Sequence, residues 1–181
     1  MVTTKLYTVE DVEAMGSDVP YELIRGELRE VSPSFVGPSI ITSRIHVRVA
    51  LHVEERDLGF VTSAEGGFVL LRDPDVMVAP DVGFIRAERL PQGIEFEGFC
   101  PVPPDFAVEV MSPSDRPGKV QEKVDLYLGA GVPLVWWVKP RDRVVAVYRP
   151  DQPAMLYREG DELDGAPILP DFRLAVADIF K

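Results

Sequence analysis

Val76-Met-Val-Ala-Pro-Asp-Val-Gly-Phe-Ile85 and Phe106-Ala-Val-Glu-Val-Met111 each carry one carboxylate inside an apolar run of strand character. Downstream, Lys119-Val-Gln-Glu-Lys-Val-Asp-Leu-Tyr127 has helical periodicity and places a lysine within reach of the same region. Carboxylates in strand interiors are costly unless something neutralises them. In a strand, alternate residues share a face. Asp81 then lies with Met77, Ala79 and Gly83, and Glu109 lies with Ala107 and Met111. Both acids fall on the less bulky side, which leaves room for an ion or a phosphate group. A divalent metal with a nearby ammonium would neutralise the pair, as in a metal-dependent phosphodiesterase. The simpler alternative is a pair of edge acids forming salt bridges with arginines.

Helix geometry separates the two lysines. Val120, Val124, Tyr127 and Gly131 centre the apolar stripe, with Lys123 about 60° and Lys119 about 100° from Val120. Lys123 borders the inward face and Lys119 is expected in solvent. A compact ammonium suits orienting a water nucleophile and stabilising the charge that builds on a reacting phosphate. Snorkelling of Lys123 to water is the competing reading.

Working outward, Thr8 caps a short helix with Asp11 three residues on. Tyr21–Ile24 and Glu27–Val31 flank Arg25-Gly26 as a hairpin. Residues 32–39 read as a loop, and Ile40 to about Asp57 as the first long helix, with Gly59 just beyond. Strands are expected at Phe60–Ser63 continuing through Phe68–Leu71, at Val76–Ile85 and at Phe106–Met111. The stretch from Arg86 to Pro104 is punctuated by proline and glycine. Ser114 or Asp115 would cap the helix that ends near Gly129 or Ala130, with Pro117 in its first turn. Leu134–Val138 and Val144–Tyr148 follow as strands, then short strands and a last turn at Val176–Phe180. This order predicts an α/β (α+β) mixed sheet with helices packed on it, in one domain over 1–181. Residues 1–35 form an N-terminal helix and hairpin, and 150–181 a C-terminal extension.

Composition sets limits. The 181 residues are 46% hydrophobic and 27% charged, ordinary for a globular domain with a sizeable core. No apolar run is long enough to span a bilayer, and residues 1–7 lack a secretory core, so a cytoplasmic location is expected. Cys100 is the only cysteine, which excludes an internal disulfide and a cysteine-clustered zinc site. The absence of asparagine and the 17 prolines fit a thermophilic source or a GC-rich genome equally. The net charge of −11 argues against tight non-specific binding to nucleic acid, though an acidic metal site is compatible with it.

These residues resemble a known group. Pro80-Asp81 with Glu109, 28 residues on, resembles the PD-(D/E)XK signature of restriction-endonuclease-like proteins, although Met111 occupies the lysine position. Tyr21-Glu-Leu-Ile-Arg-Gly-Glu-Leu28, Ala79–Val82, Val108–Ser114, Glu122-Lys123 with Leu126-Tyr127, and Ala130–Pro133 with Trp136-Trp137 resemble the Uma-two restriction-endonuclease family over about residues 20 to 150. The resemblance implies a restriction-endonuclease-like core and hydrolysis of DNA phosphodiesters with Mg²⁺ or Mn²⁺. It implies Asp81 and Glu109 as metal ligands, with Lys123 replacing the missing strand lysine. It also implies an upstream acid: Glu27, which sits in the Gly-Glu-Leu piece, is preferred to Glu22. A homodimer would let two sites address two strands. The alternative is a nuclease-fold protein that has lost turnover and serves in binding or as a scaffold.

Other residues read more simply. His46 and His52 lie about 240° apart around one helix and cannot share a metal through it. Trp136 and Trp137 read as core. Asp73 and Asp75 mark a turn, and Glu65, before Gly66-Gly67, could reach the site, although a bulge is the simpler reading. Gln121 points away from Lys123. Ser112, Ser114 and Cys100 have no sequence-adjacent histidine, and no nucleophilic triad is evident.

Overall fold

The computed structural model describes residues 5–16, 21–31, 33–90, 92–113 and 117–181. Two sheets meet where the acids lie. The larger has strand order β10-β9-β8-β7-β6-β3, formed by Met155–Arg158, Val144–Tyr148, Val135–Lys139, Phe106–Val110, Val82–Arg86 and Gly59–Ser63. Only β7 and β8 run parallel, and α3 (Pro117–Gly129) is the crossover between them. The smaller sheet, β2-β1-β5-β4, comprises Glu27–Glu30, Tyr21–Ile24, Val76–Val78 and Phe68–Leu71, all antiparallel. The mixed sheet and packed helices are the architecture the sequence predicts.

Two expected strands are divided. Val76–Ile85 is not one strand: β5 ends at Val78 in the small sheet, and β6 begins at Val82 in the large one. Pro80 has no N–H for a ladder, so the chain changes sheets at Ala79–Asp81. Likewise Phe60–Ser63 and Phe68–Leu71 are β3 and β4 of different sheets, joined by a turn that exposes Glu65. Gly83 makes the close approach possible. A Cβ there would lie 2.6 Å from Thr62 Oγ1 and 2.7 Å from Phe68 Cε2.

The helix α2 (Val36–Glu55) starts four residues before its expected position. Pro38 is the third helical residue, where the missing N–H is unpaired in any helix. Ile41, Ile45, Val49 and Val53 bury one face of α2 against Val82, Phe84, Val108, Val110 and Trp136. Residues 150–181 belong to this same core. Beyond β10 they form a ribbon, β11 (Glu162–Asp164) with β12 (Arg173–Ala175), and the short α4 (Val176–Ile179). Leu163, Leu169 and Val176 there are fully buried. The opposite sheet face is covered by α3 and by the small sheet, through Phe68, Tyr127, Leu126 and Val135.

The N-terminal helix α1 (Val9–Glu13) has the expected capping box between Thr8 and Asp11. Asp75 is more than a turn residue. Its buried carboxylate accepts from the N–H of Val9 at 2.8 Å and of Asp73 at 3.2 Å, and pairs with Arg72. The expected caps Ser114 and Asp115 lie outside the described residues. Among the described residues, no helix is long and apolar enough to cross a membrane.

Candidate active site

Four elements bring ionisable groups to the junction of the sheets. Glu109 is the penultimate residue of β7, Lys123 comes from α3, Glu22 from β1, and Asp81 from the bend before β6. Lys123 Nζ lies 2.7 Å from Glu109 Oε1 and 2.7 Å from Glu22 Oε1. Tyr127, one helical turn after Lys123, donates its hydroxyl to the same Glu109 oxygen at 2.6 Å. The Ala79 N–H donates to Glu22 Oε1 at 3.1 Å, and the Val110 N–H to Asp81 Oδ2 at 2.7 Å. The backbone thus orients two of the acids, and α3 orients the third.

Burial sets the electrostatics. Burial raises the Glu109 carboxyl from 4.5 to about 7; the Lys123 ammonium opposes that rise, and Asp81 and Glu22 add to it. For Lys123, burial works against the ammonium, but Glu109 and Glu22 outweigh it and the net shift is upward. Lys123 is therefore held as a cation. Burial, then the neighbouring carboxylates, push the Tyr127 phenol well above its usual value, so it remains a donor. Asp81 and Glu109 supply hard oxygen donors beside a fixed positive charge.

The chain matches the Uma2 family, described as "Putative restriction endonuclease", over residues 7–177. It belongs to that family. A solved structure with a similar fold is a "putative nuclease belonging to DUF820" from Anabaena variabilis ATCC 29413. The two chains are 20% identical at a TM-score of 0.83, covering 96% of this chain and 97% of that one. At that identity the likeness establishes the fold. No curated protein matches.

Within this Uma2 chain, Asp81, Glu109 and Lys123 converge, while Glu27 does not join them. Glu27 is exposed on the edge strand β2, opposite Ile24. Glu22 is the acid that reaches Lys123, because β1 is the inner strand, hydrogen-bonded to both β2 and β5. Sequence parity could not tell which hairpin strand is inner. Tyr127 was legible only as a member of the core stripe. Its signal is the i,i+4 spacing from Lys123, together with the need of a buried phenol for a partner. Lys119 and Gln121 are exposed, and Gln121 bonds to Asp125 instead.

The remaining candidates have structural surroundings. His52 Nε2 pairs with the Pro170 carbonyl at 2.9 Å, and its ring meets Phe172 edge-on. Cys100 is buried, which pushes its thiol up. Trp136 and Trp137 are buried in β8. Asp105, which sequence reasoning passed over, is buried and ion-paired with Arg86 and Arg89, anchoring the 86–104 excursion.

Proposed function

We propose that this protein is a metal-dependent endonuclease that hydrolyses DNA phosphodiesters at Asp81, Glu109 and Lys123, with Glu22 as the upstream acid. The observation that carries this reading is the convergence of Lys123 with Glu109 although Met111 holds the strand position where the superfamily pattern has lysine. Two carboxylates suit Mg²⁺ or Mn²⁺, which keep several waters and take substrate phosphate oxygens as further ligands. Among the described residues no group of three or more histidines, cysteines or acids is placed to hold a metal ion, so the reading rests on the two carboxylates Asp81 and Glu109. When bound, the cation supplies Lewis-acid polarisation and acidifies the attacking water.

The chain's own residues do the rest. Tyr127 and Lys123 both donate to one oxygen of Glu109 and so fix the carboxylate's orientation. The Val110 N–H fixes Asp81. Lys123, kept charged, stabilises the negative charge that builds on the phosphate as water adds and a P–O bond breaks. It acts as a positioned cation and not as a proton acceptor.

The test is cleavage of single- and double-stranded DNA with Mg²⁺ or Mn²⁺, alongside calorimetric metal titration. Glu109→Ala and Lys123→Ala should each lose about 10²-fold or more of the cleavage rate. The reading fails if wild type binds no metal, or if either variant cleaves as well as wild type. The net charge of −11 favours a second reading, a nuclease-fold scaffold. Metal binding without cleavage of any DNA would select it.

A further inference from the structure

Helix α2 is apolar on two opposite faces. One packs on the large sheet through Ile41, Ile45 and Val49. The other leaves Val36, Ile40, Val47 and Leu51 at 76%, 47%, 53% and 53% exposure. By the 3.6-residue repeat these four lie within about 60° of one another, on the side away from the sheet. A helix that is hydrophobic all round is normally covered on all sides. From residue 36 to 53 the helix carries no acid, in a chain of net charge −11. Pairing through the stripe therefore brings no α2 acid of one copy against an acid of the other, and its charged residues are Arg44 and Arg48.

The spacing of the stripe names its occupant. About a centre between Ser43 and Arg44 it reads the same in both directions. Val36 mirrors Leu51, Ser39 mirrors Arg48, Ile40 mirrors Val47, and Ser43 mirrors Arg44. A two-fold interface requires that residue i of one copy meet residue j of the other, and j meet i. Antiparallel pairing of α2 with a second α2 meets that requirement. Apolar side chains fall on apolar ones, and each arginine falls on a serine, small enough to take its stem and able to accept a guanidinium hydrogen bond. The side chain of Arg44 is held in place by the carbonyls of Ile179 and Lys181.

We infer that α2 is the homodimer interface, two copies pairing antiparallel about the Ser43–Arg44 centre. The stripe is a little over 20 Å long at 1.5 Å per residue. A contact of one helix face is at the low end of specific interfaces in size. The inference does not rest on the chemistry proposed at Lys123, because α2 covers the sheet face opposite Glu109.

Sedimentation of the full chain over a concentration series tests it. Wild type should dimerise, and Ile40→Lys and Val47→Glu should each weaken association at least tenfold while keeping the wild-type circular dichroism and melting curve. Mixing the two variants should restore a dimer, because Lys at 40 then meets Glu at 47 of the partner. Monomeric wild type at all concentrations overturns the proposal. So does a dimer that survives both substitutions but is lost on Leu156→Lys, which would move the contact to the exposed edge strand β10. Loss of DNA affinity in the α2 variants of a monomeric protein would overturn it too, giving the stripe to nucleic acid.

Discussion

Glu109 is held between opposing influences: burial favours its neutral form, and Lys123 and the Tyr127 hydroxyl favour the carboxylate. With its carboxyl raised from 4.5 to about 7, the folded protein holds that proton more tightly than the unfolded chain. The stability this group contributes is complete below pH 4.5 and is lost as pH rises through about 7. Glu109→Gln cannot titrate. The melting temperature of the variant should therefore gain on wild type as pH climbs through that window. A difference that stays flat with pH would remove the assignment. Mg²⁺ affinity of wild type should rise over the same interval, since a cation competes with the proton for the carboxylate. Residue types made part of this legible in advance. With only five lysines in the chain, Lys123 beside an apolar stripe stood out. The rise at Glu109 was not legible, because it depends on how completely two sheets close over it.

Between elements, the hairpin and α3 are joined by two ion pairs of opposite polarity. Glu22 of β1 meets Lys123, and Arg29 of β2 meets the preceding residue, Glu122, through two hydrogen bonds of 2.7 and 3.0 Å. Glu22 and Arg29 are themselves cross-strand partners, so the hairpin presents a minus–plus pair to a plus–minus pair on the helix. The Arg29–Glu122 pair is about one-third exposed on each side, and water screening limits its worth. Arg29→Ala should cost about 0.5 kcal/mol, read from the midpoint of urea denaturation. An unchanged midpoint would show that the inner pair alone holds the hairpin. This clamp was invisible in the sequence, since contacts between residues so far apart in the chain follow from sheet order. The 3.6-residue pattern placed Lys123 and Lys119 on the correct sides of α3, because helix geometry is local. The division of Val76–Ile85 was half legible. Pro80 announces a break, but only the fold shows that the chain changes sheets there.

At the scale of the molecule, the catalytic candidates occupy the seam between two sheets, and the seam's backbone relies on them. Asp81 accepts the Val110 N–H where the large sheet ends, and Glu22 accepts the Ala79 N–H where the chain leaves the small one. Asp81→Ala should thus lose about 1–2 kcal/mol of stability as well as activity, because it strands a backbone donor. Asp81→Asn keeps an acceptor and should stay closer to wild type in chemical denaturation while losing cleavage. If both variants unfold at the same denaturant concentration, the hydrogen bond carries no stability. A double duty of this kind would also shape how such a protein can age. A lineage that gives up hydrolysis is still selected to fold, and folding asks position 81 for an oxygen, not for a charge. Retirement from catalysis would then be recorded at the seam as an amide in place of an acid. An apolar replacement there would record damage.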